Sequence, residues 1–499
     1  MALTDQTITC EQLAGKIRPF MHTQVKTLAA ICLGIAIWMY FSDRNGVMPF
    51  LVISAGALLP IFAWNAQRSS SLPLGPLIAL QSLIIYATPV VTQNPSVFVY
   101  SNEEIMRAAV EIFIFCASLA AGWLLAFKNS FRRAPATYLK FKFLNSDQPR
   151  KLVNFGVLLI SLSVGYHVAN MAGWLGLLPS GLYPIIRTMG DSAGMGGGLL
   201  SGYFIGLGEL RGPRQTLFWI IFLVHCVFTA SNYTLFPVTS LIIAVSVGIF
   251  LGRGKVPIVL LAVFTMGVGF LNLSKFEMRS AYWLEGTAYA PQELSSLSDR
   301  YEEWISRSWG HFTDSDEFKS DREHIASQRI SDRINNLVNL LDVQEYVTMD
   351  NVPVLGGETY TIIPALLIPR LFWPDKPRTH EGMVLLNVHF GKQTEEESFV
   401  TYISWGLLPE AYGNFGPIFG ALFCGGVIGL IMGWLESWSR HYPLISLQAL
   451  IFLSMLVQFG SSFEMVASLW VTSVFQMVLA TIGGTFLLVT KTPFARNNS

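Results

Sequence analysis

The segment IPRLFWPDKPRTHEG, residues 368–382, concentrates charged side chains between apolar stretches of the chain. It carries three cations, an imidazole and a carboxylate, which are Arg370, Lys376, Arg378, His380 and Glu381. Its prolines fix φ and favour extended geometry in the residues that precede them. Arginine binds phosphate oxygens bidentately, and lysine acts as a point charge. We therefore predict a phosphate-binding segment; the alternative is a structural loop whose cations meet lipid headgroups or pair with Asp375 and Glu381.

A second stretch, GLLPEAYGNFGPIFG at residues 406–420, opens a predicted membrane helix. Glu410 and Asn414 are four residues apart and so share one helical face, with Tyr412 between them in the sequence. A carboxylate at a membrane boundary is partly desolvated, which raises its pKa and makes it a proton acceptor. The alternative is a capping role, because the helix dipole favours an acid at a helix N-terminus.

A third group consists of cations in two other loops. Arg187 precedes the glycine run at 194–198, and Lys275 and Arg279 follow a predicted membrane helix, close to Tyr282 and Trp283. Converging arginines suit a diphosphate. The alternative is simple anchoring at the membrane interface, where aromatic and basic residues are common.

The composition places these residues in a membrane protein. The chain has 499 residues, of which 52% are hydrophobic and 13% charged, whereas a soluble domain carries about 25% charged residues. Its formal net charge is zero, so we expect no nucleic-acid or other bulk polyanion binding. The five cysteines lack metal-type spacing, and no nucleotide-binding or zinc motif is found, so we expect no cofactor and no metal.

About twelve segments have the length of about 17–25 mostly apolar residues that a membrane-spanning helix requires; several are short or glycine-rich, so eleven or thirteen spans stay open. They lie at about 25–41, 47–64, 73–91, 107–127, 152–170, 192–210, 215–231, 235–251, 256–272, 412–435, 443–459 and 466–490. We therefore predict an all-α polytopic membrane protein. Residues 171–190 are apolar but interrupted by prolines and glycines, and we expect them to be re-entrant.

The distribution of Lys and Arg predicts the orientation, because cytoplasmic loops carry an excess of both. Seven cations lie between Lys128 and Lys151, while the short loops on the other side hold only Arg44, Arg107 and Arg187. Both termini are thus expected in the cytoplasm. The organisation predicted is a bundle of about nine helices at 1–272, a large extracytoplasmic loop domain at 273–411 and about three helices at 412–499.

The loop domain is predicted to be mostly helical. It is acidic overall, and residues 322–346 place isoleucines and leucines at near-helical spacing, as expected of an amphipathic helix on a protein or membrane surface. A second helix is expected at 291–309. Residues 361–373 are apolar and are expected to return to the membrane face.

The sequence resembles the Wzy-type polymerases, bacterial inner-membrane proteins that assemble O-antigen and exopolysaccharide from lipid-linked repeat units. The resemblance covers about 368–420 and elsewhere concerns only the helix number and the large outer loop. The residues that carry it are Arg370, Phe372, Trp373, Pro374, Lys376, Pro377, the LNVHFG run at 386–391, Gly406, Glu410, Tyr412, Asn414, Phe415 and Gly416.

The resemblance implies a metal-independent glycosyl transfer on the periplasmic side of the inner membrane. The donor would be a growing glycan on undecaprenyl diphosphate and the acceptor one lipid-linked repeat unit, with a flippase and a chain-length regulator as expected partners. Fixed cations would stabilise the diphosphate leaving group, and a base would accept the proton of the acceptor hydroxyl. The diphosphate set expected is Arg370, Lys376, Arg378, Arg279 and Arg187, with Tyr412 and Asn414 nearby. The base expected is Glu410, followed by His380 or Glu381.

Two other functions stay open at this point. A polysaccharide ligase would use the same lipid-linked donor and transfer the finished glycan to a new carrier in one step. A flippase would move the lipid-linked glycan across the membrane, but transporters need a central polar pathway, whereas the cations here cluster at the outer boundary.

Overall fold

The fold described here is that of a computed structural model of the chain. It describes residues 9–67, 71–129, 137–142, 149–178, 182–283, 294–313, 335–369, 372–373, 375–400, 403–444, 446–461 and 465–493. Of the described residues, 76% are helical, which is consistent with an all-α polytopic protein.

The helices of the first half are, in chain order, α1 Cys10–Phe41, α2 Val47–Ala66, α3 Leu74–Val91, α4 Asn102–Asn129, α5 Pro149–Met171, α6 Tyr183–Leu207, α7 Pro213–Ala230, α8 Phe236–Arg253 and α9 Ile258–Asn272. The loop domain contributes α10 Lys275–Tyr282, α11 Leu297–Phe312, α12 Leu337–Thr348, α13 Glu358–Thr361, α14 Ile363–Leu366, α15 Glu381–His389 and α16 Glu395–Val400. The last helices are α17 Leu407–Phe415, α18 Phe419–Ser439, α19 Leu447–Ser461 and α20 Ala467–Thr485.

Within the described residues, nine helices are long and apolar enough to cross a membrane, or ten if the bent pair α9 and α10 forms one span. The multi-pass membrane architecture is therefore supported, but the predicted number of twelve is not confirmed. The shortfall has simple causes: α19 carries an apolar stretch of only 13 residues, Leu447–Phe459, and the glycine-rich α6 does not meet the same requirement. The predicted span at 412–435 is divided at Gly416–Ile418, where both named residues have positive φ.

Two strands, β1 Thr137–Phe141 and β2 Val489–Pro493, pair antiparallel and were not predicted from the sequence. Lys140 of β1 also bridges to Ser446, and Thr9, just before α1, bridges to Pro443. Both ends of the described chain thus lie at one end of the bundle, which we call the terminal face. Since α19 starts there and runs across the bundle, the start of α20 lies at the opposite end, which we call the site face.

Two predicted segments differ in detail from the structure. In the range 171–190, where a re-entrant segment was expected, α5 ends at Met171, a 3₁₀ turn covers Trp174–Leu177, and α6 already begins at Tyr183. Pro184 falls in the first turn of α6, where proline starts a helix and does not interrupt one. The first segment extends well before residue 25, because α1 begins at Cys10.

The loop domain is helical in the parts that are described. The helix expected at 291–309 corresponds to α11, and α12 forms the second half of the amphipathic segment expected at 322–346. Residues 314–334 lie outside the described residues. Two short helices, α13 and α14, end within the first half of the range 361–373, where the chain was expected to return to the membrane face.

Candidate functional site

The carboxyl group of Glu410 lies at the start of helix α20. Its side chain is fully buried. Its Oε2 accepts a hydrogen bond of 2.6 Å from the backbone N–H of Ala467, the first residue of α20. Its Oε1 accepts a hydrogen bond of 2.7 Å from the hydroxyl group of Thr359. Glu410 therefore caps α20, and its side chain makes no capping bond to its own helix α17.

A polar network orients this carboxyl group. Asn414, one turn further along α17, donates through Nδ2 to Thr359 Oγ1 at 2.9 Å and to the carbonyl of Glu410 at 2.8 Å. Asn414 and Thr359 are both fully buried. Asn414 Oδ1 has no hydrogen-bond partner in the described part of the chain. The three side chains therefore form one connected group with a single acceptor left over.

The surroundings of Glu410 change its acidity. Burial raises the pKa of Glu410 to about 7, while the hydrogen bonds from Ala467 and Thr359 act in the opposite direction. A carboxyl group whose pKa lies close to neutrality both accepts and releases a proton easily, which is what general base catalysis requires.

The residues that cover Glu410 are 355–361, which we call the covering turn. The N–H groups of Leu355 and Gly356 donate to the carbonyls of Gly413 and Asn414, at 3.0 and 2.8 Å. Gly356 has a φ of 63°, in the left-handed region that glycine adopts without strain. The covering turn places the Thr359 hydroxyl against the Glu410 carboxyl group and helps to shield it from solvent.

The ammonium group of Lys376 holds in place the segment 368–382, which we call the proline-stiffened segment. The side chain is only 7% exposed. Its Nζ donates to the carbonyl of Leu366 at 2.6 Å and to that of Ile368 at 2.5 Å. The structure thus gives Lys376 a positioning role, since part of its hydrogen-bonding capacity is used by backbone carbonyls just before and at the start of the segment.

The proline-stiffened segment ends against the same helix start that binds Glu410. Ser468 donates its hydroxyl to the carbonyl of Thr379 at 3.2 Å. Gly382 lies so close that a Cβ atom there would be 2.9 Å from Ser468 Oγ. Since Ala467 is the neighbour of Ser468, the two stretches singled out in the sequence meet at the first two residues of α20.

Arg187 is close enough to act electrostatically on this segment. Burial and then the positive charge of Arg187 lower the pKa of His380, which directly precedes α15. Arg187 lies in the second turn of α6, and its Nε is 3.9 Å from Oδ2 of Asp191, with both side chains about half exposed. The positive charge of Arg187 therefore reaches the imidazole of His380, while its printed ion-pair contact is with Asp191.

The other predicted residues are placed as follows. Arg378 is exposed, and its carbonyl accepts the N–H of Glu381, the half-buried first residue of α15. Tyr412 of α17 is 2% exposed and packs in the hydrophobic core, so it does not line an open surface. Arg370 lies outside the described residues.

Arg279 belongs to a different part of the structure. It lies on α10, where its Nε donates to the carbonyl of Tyr233 at 3.0 Å. Its guanidinium group stacks over the ring of Trp283 at 4.5 Å. These contacts join α10 to the turn between α7 and α8, and they correspond to the interface-anchoring alternative considered for this arginine.

Polar residues between α5, α6 and α7 form a cluster behind Arg187. His167 Nε2 is 3.8 Å from Asp191 Oδ1, and the rings of His167 and His225 lie 5.1 Å apart. His225 Nε2 and Ser163 Oγ are hydrogen-bonded at 2.7 Å. The carboxylate of Asp191 thus stands between the arginine and the two imidazoles.

Sequence reasoning missed the residues that join the two stretches. Thr359 is separated from Glu410 by 51 positions, and no spacing rule connects them. The double glycine before Thr359 was a signal of a turn, but not of its position over the glutamate. Ala467 contributes only its backbone N–H, which no side-chain pattern reveals.

The start of α20 thus holds one oriented carboxyl group and contacts the segment that carries Arg378 and His380. A carboxyl group, an imidazole and guanidinium groups are the side-chain types that suit proton transfer beside an anion. Among the described residues, no group of three or more His, Cys, Asp or Glu is arranged to hold a metal ion. Comparisons of the chain with protein-family models, with curated proteins and with solved structures found no match.

Proposed function

We propose that this protein is an inner-membrane glycosyltransferase that polymerises undecaprenyl-diphosphate-linked oligosaccharide repeat units into a polysaccharide on the periplasmic side. The proposal rests on the sequence resemblance to the Wzy-type polymerases and on the side chains grouped at the site face. In this orientation the terminal face is cytoplasmic, and the loop domain lies in the periplasm.

One observation carries the proposal: stretches far apart in the sequence converge at the start of α20. Glu410 binds the N–H of Ala467, and the segment before α15 binds Ser468. The positive charge of Arg187 contributes to the lowered pKa of His380 in that segment. A structural cap for α20 needs only the glutamate. The segment that binds beside the glutamate also carries Arg378 and His380, and fixed cations with an imidazole suit an enzyme with an anionic leaving group.

The proposed reaction needs a base and fixed positive charge. The acceptor hydroxyl attacks the anomeric carbon of the donor sugar while the bond from that carbon to the lipid diphosphate breaks. Glu410 accepts the hydroxyl proton, with His380 or Glu381 as the alternative base. Arg378, Arg187 and Arg370 stabilise the leaving diphosphate, which carries the bonding electron pair. Lys376 holds the segment that presents Arg378.

The experiment uses purified protein in lipid nanodiscs with one lipid-linked repeat unit and no nucleotide or metal, and it scores glycan chain length. We expect the wild type to form a ladder. Arg378→Ala and Arg187→Ala should each lower the rate by about 10²–10³-fold, because each removes a positive charge that stabilises the leaving diphosphate. Lys255→Ala, which removes an exposed cation after α8 at the terminal face, should leave the rate unchanged.

The products also separate the proposal from its rivals. Transfer of one finished glycan to a new carrier without a ladder would identify a ligase. Movement of the lipid-linked unit between the leaflets without chemical change would identify a flippase. Full activity in both arginine variants would refute the proposed diphosphate site but not the described fold.

A further inference from the structure

Helix α11 of the loop domain carries a stripe of large apolar residues that the rest of the described chain leaves about half exposed or more. Ile305, Trp309 and Phe312 are 49, 59 and 66% exposed. Their spacing of four and then three residues places them on one helical face. Exposing three large apolar side chains in a row to water costs free energy, so we expect this stripe to contact a partner or lipid.

Hydrogen bonds from its buried face hold α11 against the neighbouring helices. Its buried residues include Trp304 and Ser308. Trp304 Nε1 donates to the carbonyl of Leu271 at 2.8 Å, and the hydroxyls of Ser308 and Ser274 are hydrogen-bonded at 2.7 Å. These bonds fix α11 to the junction of α9 and α10, where the chain bends by 49°.

The stripe on α11 continues the exposed face of α9. Val259, Val263 and Met266 are 78, 54 and 66% exposed and follow one another on a single face of that apolar helix. Phe270 extends the same face, and its ring lies 6.4 Å from the rings of both Trp309 and Phe312. No residue of α9 is buried by protein, as expected of a helix in contact with lipid.

We propose that α11 is an interfacial helix whose stripe Ile305–Trp309–Phe312 inserts into the outer leaflet at the boundary of headgroups and acyl chains. The partner is the bilayer, because the stripe is continuous with the lipid-facing side of α9. Tryptophan prefers this depth, and an amphipathic helix with a polar opposite face lies in the interface plane. The same contact holds α10, with Arg279, at the level of the headgroups.

The test labels single introduced cysteines with an environment-sensitive fluorophore in the full-length protein, reconstituted in phosphatidylcholine and phosphatidylglycerol vesicles. The variants are Trp309→Cys and Phe312→Cys on the stripe and Ser306→Cys on the exposed polar face of α11. Of the native cysteines, four are buried and Cys226 is half-buried, so unsubstituted protein measured in parallel gives the background.

We expect a spin label near the headgroup end of the lipid acyl chain to quench the labels at 309 and 312 at least about twofold more than the label at 306. Aqueous iodide should show the reverse order. Equal iodide quenching at all three positions would place the stripe in water. Protection at 309 and 312 from both quenchers would mean that a protein covers it, such as a second copy of the chain. Either result overturns the inference, and neither depends on polymerase activity.

Discussion

The proposed role of Glu410 leads to a prediction in which catalysis and folding separate. In Glu410→Gln, the side chain keeps its volume and one acceptor oxygen. In the wild type, the Ala467 N–H and the Thr359 hydroxyl each bind their own carboxyl oxygen, at 2.6 and 2.7 Å. The single amide oxygen of the variant accepts from only one of these two donors. One buried donor therefore loses its acceptor, at a cost of about 1–3 kcal/mol. The amide cannot act as a base, and loss of a general base lowers a rate by about 10²–10⁴-fold.

The matched control is Glu436→Gln at the opposite end of the bundle. Glu436 is also fully buried, and its Oε1 accepts the N–H groups of Leu74 and Gly75 at 2.8 and 3.1 Å, where α3 begins. It therefore caps a helix in the same way as Glu410 but lies far from the proposed site. We expect a stability loss no larger than that of Glu410→Gln and an unchanged rate per folded molecule.

The assay combines thermal unfolding in detergent, size-exclusion chromatography and initial rates of chain extension in nanodiscs. A low rate in Glu410→Gln with a small fall in Tm supports the base. If both variants lose stability to a similar extent and keep wild-type rates, Glu410 only caps α20, and the assignment of the base is refuted.

Three further changes test single contacts. Because burial raises the pKa of Glu410 to about 7, its base form disappears as pH falls, so the initial rate should decline below about pH 7; a flat profile contradicts this. Thr359→Val removes a hydrogen bond to the carboxylate, so the same limb should move to higher pH and return in Thr359→Ser. Lys376→Met leaves two carbonyls without this donor, so Tm should fall by the equivalent of about 1–3 kcal/mol per carbonyl; an unchanged Tm argues against the positioning role.

The membrane helices were predictable because an apolar run of fixed length has few alternatives to a spanning helix. Their ends were less predictable where tertiary contacts decide. Helix α1 begins in a polar stretch because Thr9 and Gln12 form a capping box and because Cys10 and Glu11 donate to carbonyls near the end of α18. The capping-box pattern was visible in the sequence, whereas the carbonyl partners were not.

The break between α17 and α18 illustrates a signal that was present but outweighed by hydropathy. Gly416 and Ile418 both have positive φ, and Pro417 between them cannot continue a helix ladder. The Gly-Pro pair predicts such a break. Glu111 of α4 stabilises it by accepting the N–H of Ile418 at 2.8 Å, a contact over 307 positions that no local pattern reveals.

The candidate site was predictable in residue type but not in assembly. The spacing of Glu410 and Asn414 predicted a shared face, and both side chains do enter one network. The cations of the proline-stiffened segment looked equivalent in sequence, yet Lys376 is buried on backbone carbonyls while Arg378 is exposed. Burial decides which cation can meet a ligand, and burial depends on the position of Leu366 and its neighbours, which only the folded chain supplies.

Because Glu410 is fully buried, any reaction that uses its carboxyl group as a base requires the covering turn to open. A base must reach the acceptor hydroxyl, but the covering turn shields the carboxyl group, held by the backbone N–H groups of Leu355 and Gly356 and by the Thr359 hydroxyl. Tyr360 adds a stacked contact with Phe415 at 5.6 Å. Each hydrogen bond contributes about 0.5–1.5 kcal/mol net, so opening the turn is within reach of the binding energy of the proposed lipid-linked substrate. In the proposed reaction, such coupling would expose the base only when the acceptor is bound and would keep water from the donor at other times, and so would favour chain extension over hydrolysis.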